Sequence, residues 1–460
     1  MKVWALLREA LRGSDRDYTS GPIGQAIVLL AVPMVREMVM ESVVAVADVF
    51  FVSRLGASAV ATVGLTESML TLIYTVAIGL SIGVTATVAR RTGERNPDGA
   101  ARSAAHGIAL GLVISTPIAL LGVTFAPHLL ALMGAAPDVV QRGSGYTRVM
   151  LGGNAVIVLL FLINAIFRGA GDAAIAMRVL WLANAVNLVL DPCFIFGLGP
   201  FPRLGVRGAA VATTIGRSCG VLFQVAVLMR RDGQVRLRRE HFRLDPAVMR
   251  TLIALSGSGM LQTFISMASW IGLVRILSSF GSVALAGYTI GVRIILFALL
   301  PSWGLSNAAA TMVGQALGAG KPDRAEAAVW TAGRYNMVFL GVVGVGFVLL
   351  ARPLVALFTA DPGVGPVAVD CLRIVSCGIL FYAFGMVITQ SFNGAGDTRT
   401  PTLINLVCFW LWEIPLAYGL AILAGWGPRG VFVAITVAFS TLALVSAALF
   451  RRGRWKLQTV

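Results

Sequence analysis

Three kinds of residue are scarce in this 460-residue chain, and each scarcity removes a class of function. Histidine occurs only as His106, His128 and His241, scattered along the chain, which leaves no histidine metal site. Cys193, Cys219, Cys371, Cys377 and Cys408 all lie in apolar stretches without metal-ligand spacing. They read as small buried hydrophobes rather than a disulfide framework. Charge is sparse too: 13% charged against 57% hydrophobic residues, with a mean hydropathy of +0.84, is not the composition of a soluble protein. Zinc spacing, a Gly-x-Ser-x-Gly elbow and a phosphate loop are all missing, so nothing points to an enzyme. Residues 1–26 lack the apolar core of a signal peptide and read as a cytosolic leader.

What is present is a series of apolar segments long enough to span a bilayer. They fall near 27–52, 60–89, 103–125, 149–167, 174–199 and 208–229, then near 251–278, 284–316, 333–350, 370–391, 402–424 and 430–450. The net charge of +16 sits in the joints between them, where anionic lipid headgroups are a better partner than nucleic acid. With the N-terminus inside, the inner joints outnumber the outer ones in Lys and Arg about threefold. This predicts a multi-pass protein of the bacterial inner membrane with both termini cytoplasmic. The stretch 230–250 is the longest polar joint and divides the chain in half.

The halves repeat. GLSIGVTATVARRTGERNPDGA from Gly79 aligns with GLSNAAATMVGQALGAGKPDRA from Gly304, and RGAGD (Arg168 to Asp172) aligns with NGAGD (Asn393 to Asp397). Leu55-Gly56 aligns with Phe280-Gly281, and all three matches keep one offset of 225 residues. GVRGAAVAT from Gly205 and GPRGVFVAI from Gly427 extend the match with a three-residue slip. A constant offset over so long a stretch is a specific signal of duplication. Six spans per half is an even number, so both halves enter the membrane from the same side. The expected fold is therefore an all-α polytopic membrane protein. Its twelve transmembrane helices form two six-helix lobes, related by a parallel internal repeat around a central cleft. An N-lobe (27–229), a basic linker (230–250), a C-lobe (251–450) and a basic tail (451–460) follow the leader.

The lobes differ chemically. Glu37, Glu41 and Asp48 fall within about 40° of one another on the first membrane helix, at about 100° per residue. One ionised carboxylate at mid-membrane costs about 3 kcal/mol on insertion scales, so three on one stripe must face protein or water. Arg36 stands beside them and could neutralise one glutamate. Pro33, one turn earlier, removes a backbone donor and marks the place where this helix can hinge. The matching positions of the second half are Gln262, Ser266 and Leu273, so the stripe belongs to the first half alone.

In the fifth segment Asn184, Asn187 and Asp191 share a face, although Asp191 precedes Pro192 where a helix could equally end. Asn164 lies in the fourth segment and Thr213 in the sixth. Such carboxylates and amides could carry a proton, through a raised carboxyl pKa, or ligate a small cation through oxygen. Glu413, beside Trp410, Trp412 and Pro415, is the main membrane acid of the second half. It could hold a cationic substrate against the aromatic faces or simply be interfacial. Glu37, Asn184, Trp410 and Glu413 are thus the candidate substrate-cleft residues.

ADVFFVSRLGASAVATVGL, GLSIGVTATVARRTGERN, FRGAGD, NLVLDPCFIFG and NGAGDTRTP together resemble the multidrug and toxic compound extrusion (MATE) family, in its DinF-like and archaeal branch. The resemblance implies twelve helices in two lobes and export of organic cations against inward protons or sodium. It also implies an N-lobe cation site of Asp48, Asn164, Asn187, Asp191 and Thr213, to which the chain's own Glu41 is added. Sodium, if it is the coupling ion, would sit at Asp48, Asn187 and Asp191. Two departures stand out: Phe161 occupies a place that can be polar in the family, and Arg36, Glu37 and Glu41 are extra charges.

The expected function is a monomeric secondary active antiporter, without cofactor, that exports small organic cations or lipophilic drugs by alternating access. The alternative is a flippase for a lipid or lipid-linked precursor, which would need a wide basic cavity. In this chain the charges within the membrane segments are mainly acidic, with Arg217, Arg275 and Arg293 as the exceptions.

Overall fold

The computed structural model describes residues 2–14, 16–230 and 234–460; at Lys2, Val3, residues 45–49, Ser53 and Ala57 it describes the backbone alone. A short leader helix, α1 (Lys2–Arg12), precedes α2 (Ile23–Ser53), α3 (Ala57–Gly93) and α4 (Pro97–Leu132). The first half continues through α5 (Pro137–Gly152), α6 (Asn154–Ala170), α7 (Ala173–Phe196) and α8 (Val206–Met229). The second half holds α9 (Pro246–Ser278), α10 (Ser282–Gly318), α11 (Pro322–Leu349), the short α12 (Ala351–Ala356) and α13 (Val364–Ala395). It closes with α14 (Arg399–Leu423) and α15 (Pro428–Arg451).

Among the described residues eleven spans are long and apolar enough to cross a membrane, α5 and α6 counting as one. With α2 they make the twelve helices expected. The fourth span reaches further back than its apolar run, because α5 is helical through the polar stretch QRGSGYTR. Thr147 there is buried and shares a hydrogen bond of 2.8 Å with Thr66 of α3, so polar residues glue these helices within the bundle.

The duplication is visible as paired contacts. A Cβ added to Gly79 of α3 would collide with the Met260 backbone of α9, and one on Gly304 of α10 would collide with Met34 and Val35 of α2. Likewise a Cβ on Gly93 would strike the Gln315 carbonyl, and one on Gly318 the Arg90 carbonyl. Each contact maps onto the other under the 225-residue offset, which is the signature of a twofold relation between the halves. The small residue lets two helix backbones touch.

The hydrophobic core divides into two clusters. One unites α3 to α8; the other holds the second half together with Ile27, Leu29, Leu30 and Met34 of α2. The first turns of α2 therefore pack with the second half, a placement that the division into lobes by sequence did not anticipate.

The termini lie at one end of the bundle and are exchanged between halves. Arg324 of α11 donates to the carbonyls of Tyr18 (3.0 Å), Ser20 (2.7 Å) and Gly21 (2.8 Å), and Lys321 to that of Thr19 (2.8 Å). In return Arg90 and Arg91 of α3 donate to the carbonyls of Gln458 and Val460. The linker is docked as well: His106 of α4 accepts from the Asp245 amide at 2.8 Å, and His241 lies 3.4 Å from Asp98. Two of the three histidines thus have structural places.

Candidate functional site

A cavity of about 240 Å³ lies between the halves. Its first wall comes from α2, α3, α6, α7 and α8 and carries every ionisable lining residue: Glu37, Glu41, Tyr74, Arg168 and Arg217. The facing wall, from α10 and α13, is neutral and includes Trp303, Asn307, Thr311, Gln390 and Asn393. Glu37 and Glu41 of the acidic stripe therefore do look inward, as the cost of charge in lipid demands.

Glu37 is 1% exposed, and its Oε1 accepts from Arg168 Nη1 at 3.0 Å. Asn164 Nδ2 approaches the same oxygen at 3.4 Å, while Asn164 Oδ1 accepts from Gln224 of α8 at 2.7 Å. One network thus ties α2, α6 and α8 together. Arg168 sits in the last turn of α6, where a cation is favoured by the helix dipole, and Gly171 ends that helix at φ +94°. Arg36 takes no part. Adjacent helix residues point about 100° apart, and its guanidinium lies over the Trp181 ring, 4.9 Å from the centroid.

The second group sits on α7 and α8. Asn187 Nδ2 donates to Asp191 Oδ1 at 3.3 Å and to Thr213 Oγ1 at 3.2 Å. Asn187 and Asp191 are buried, and α7 runs on through Pro192 to Phe196, so Asp191 does not terminate the helix. Gly216 lets α8 close on α7, since a Cβ there would meet the Ala183 carbonyl and Asn187. With its amide hydrogens spent, Asn187 offers its own oxygen alongside the carboxylate and the hydroxyl, a set able to hold a proton or a small hard cation. Asp48 lies outside the residues whose side chains are described. No group of three or more His, Cys, Asp or Glu able to hold a metal occurs among the described residues.

The remaining candidates separate. Glu41 and Asn184 line the cavity; Asn164 lines it too, hydrogen-bonded to Glu37 and Gln224 rather than within the α7–α8 group. Trp410 and Glu413 are not among the residues that line this cavity. Within α14, Leu406–Glu413 and Gly419–Leu423 are π-helical. Trp410 instead donates to the Ile265 carbonyl of α9 at 2.9 Å, and Glu413 is buried. Pro33 is buried inside an α2 that is helical throughout its length. Arg168, counted as a joint charge, and Tyr74 are cavity residues that escaped the sequence reading, as did Gln224, which does not line the cavity but donates to Asn164.

The MatE family model matches the chain twice, over residues 33–193 and 255–419. The chain belongs to the MATE family of transporters. Each half carries its own match, in step with the repeat. This MATE chain is 25% identical over 444 residues to "Probable multidrug resistance protein NorM" of Thermotoga maritima, covering 95% of this chain and 94% of that one. It is 27% identical over 400 residues to the "FAD transporter" of Shewanella oneidensis, covering 86% and 88%. A crystal structure of MATE in the bent conformation superposes with a TM-score of 0.89 at 27% identity, covering 97% of both chains.

Proposed function

We propose that this MATE chain is a secondary active multidrug exporter of the bacterial inner membrane, with both termini in the cytosol. It moves organic cationic compounds outward in exchange for protons or sodium by alternating access. The observation that carries this reading is the cavity between the halves, whose charge is confined to the first-half wall. The NorM relative supports drugs as cargo. The Asn187–Asp191–Thr213 group, with Asp48 on α2, supports a coupling site near that wall but distinct from its Glu37 network. Loading Asp48 and Asp191 with a proton or sodium removes their charge and lets α2 bend at Pro33; MATE structures in a bent and in a straight conformation are both similar to this chain. One charge moving inward across about 100 mV supplies about 2.3 kcal/mol.

The test is transport in proteoliposomes under independently imposed pH and sodium gradients. Export that follows one of the two gradients identifies the coupling ion, and Asp48→Asn is expected to abolish it. Export by Asp48→Asn at the wild-type rate sinks the mechanism.

A further inference from the structure

Each half grips the approach to the other. The segment that leads into α2 is held by Lys321 and Arg324 of α11, which donate to the carbonyls of residues 18–21. The segment that leads into α9 is held by α4, whose His106 Nε2 accepts from the Asp245 amide at 2.8 Å. Under the 225-residue offset Ser20 matches Asp245, and α11 matches α4 through Asp323 and Asp98 in their first turns. The two clasps are thus one device in duplicate, at the end of the bundle where the termini lie. Their chemistry differs. Arginine and lysine keep their charge near neutral pH, whereas histidine changes its charge between about pH 5 and pH 8. The position matching His106 is Thr331, whose hydroxyl donates to the Ala327 carbonyl at 2.7 Å.

The partners of His106 decide where its hydrogen sits. The Arg102 carbonyl, 2.8 Å from Nδ1, can only accept, and the Asp245 amide can only donate. Nδ1 therefore carries the hydrogen, and the Nε2 lone pair holds the linker. The ring is 3% exposed, so water cannot take the place of either partner. Asp245 in turn caps α9, its Oδ1 accepting from the amides of Ala247 (3.0 Å) and Val248 (3.4 Å). His106 thus holds the residue from which α9 starts. His241 anchors the same segment: its Nδ1 accepts from the Arg238 amide at 3.1 Å, and its Nε2 lies 3.4 Å from Asp98 Oδ1. A proton added to His241 gains Asp98 as counter-ion, whereas one added to His106 Nε2 meets an amide hydrogen. Charged groups on the elements packed against α4 are committed elsewhere: Arg90 and Arg91 of α3 to the tail, Arg168 of α6 to Glu37, and Glu240 to Arg238. Arg102, Arg239, Arg243 and Arg250 are exposed, and α5 meets α4 near Gly122, about four turns from His106.

We propose that His106 is a proton-binding switch on the joint between the halves. A proton and the Asp245 amide compete for one lone pair, so uptake of the proton releases the start of α9 from α4. The closed clasp has no proton on Nε2, and the open one leaves a free imidazole, whose ordinary value is about 6.5. Opening therefore binds a proton, is favoured as pH falls through that value, and is insensitive to pH well above it. In the orientation proposed above this face is cytosolic, and an acid cytosol loosens the hold of the first half on the second. The switch goes beyond the export reading and needs neither its cargo nor its coupling ion.

The experiment is amide hydrogen exchange on the purified full chain between about pH 5.5 and pH 8, without gradient or drug. Amides of residues 245–250 are compared at each pH with those of residues 19–26, behind the arginine clasp, so that the common effect of pH on exchange cancels. Relative protection at the start of α9 is expected to fall about tenfold from pH 8 to pH 5.5, one unit below the value of a free histidine. His106→Gln keeps an acceptor but takes no proton, and should stay protected and flat across the range. His106→Leu removes the acceptor and should be flat at the low, acid level. His241→Gln is expected to keep the tenfold response. A flat profile in the wild-type protein overturns the proposal without any variant. So does a response that survives in His106→Gln, or one that His241→Gln alone abolishes. Drug flux indifferent to every ion gradient would defeat the export reading and leave the switch standing; a flat exchange profile does the reverse.

Discussion

Glu37 and Arg168 are paired at 3.0 Å, and the positions matching both in the second half hold amides, Gln262 and Asn393. The second half keeps neither the charge nor the pairing: Asn393 donates to Gln390 at 2.8 Å, and Gln262 Oε1 accepts no hydrogen bond. Breaking one member of a buried ion pair costs about 3–5 kcal/mol, whereas replacing both is often neutral. Glu37→Gln is therefore expected to lower thermal stability in detergent strongly, because Arg168 is left buried without its counter-ion. The double variant Glu37→Gln/Arg168→Asn, which places the second half's residues at both positions and leaves no charge buried, is expected to recover most of the loss. A double variant no more stable than Glu37→Gln would show that the pair is not what holds α2 to α6.

The α7–α8 group invites a graded pair of substitutions. Asp191→Asn removes the only ionisable side chain in it and is expected to reduce gradient-driven export to background while drug binding persists. Thr213→Ala removes one neutral hydrogen bond, worth about 0.5–1.5 kcal/mol. It should weaken dependence on the coupling ion by about tenfold at most. The check is export rate against ion concentration, alongside drug binding in the absence of a gradient. Equal losses in the two variants would remove the special role of the carboxylate.

How much of this was legible beforehand depends on the range of each interaction. The duplication was, because matching glycines are recorded in the chain itself; the structure shows Gly79 and Gly304 making the same backbone contact. The inward facing of Glu37 and Glu41 was, because charge at membrane depth leaves few alternatives. The partner of Glu37 was not. Arg36 is its neighbour in sequence but points elsewhere, while Arg168 is 131 positions away and looked like one more basic joint residue. One sign was present: RGAGD and NGAGD differ at that position alone, and a single change in a repeated turn marks a changed partner. The π-helical winding of α14 left no periodic trace, since α14 is apolar on nearly every side.

The terminal exchange has a measurable strength. Arg324→Ala deletes three hydrogen bonds to the segment around Ser20, two of them exposed and therefore worth little singly. Together about 1–2 kcal/mol is expected, which is about tenfold in the opening equilibrium of that segment. Trypsin cleavage after Arg16 should accelerate accordingly. Asp17 belongs to the same segment, and the Thr19 hydroxyl donating to it at 2.6 Å holds its carboxyl below the usual range. A lowered carboxyl pKa stabilises above the usual range and is lost only as pH falls through the lowered value. Protection should therefore be flat between about pH 5 and pH 8. An unchanged cleavage rate in Arg324→Ala would mean that Arg324 is not what holds the segment, leaving Lys321 and Arg95 as its anchors.

Gly318 offers the sharpest test of how the halves meet. A methyl group there would strike the Arg90 carbonyl and come within 3.0 Å of the Glu94 amide, and backbone atoms cannot swing aside as a side chain can. Overpacking of this kind costs about 1–3 kcal/mol. The halves can avoid the cost by parting at the end where the termini lie, so Gly318→Ala is expected to favour separation there. Spin labels at Arg95 and Asp323, both exposed and on opposite halves, should report a longer or broader distance distribution. Gly93→Ala is expected to act alike, since its own Cβ would strike the Gln315 carbonyl. Gly346→Ala is the control, with open space around it and a small gain in helix propensity. If Gly318→Ala leaves both the distance and the stability where Gly346→Ala leaves them, the backbone contact is not what closes that end of the bundle.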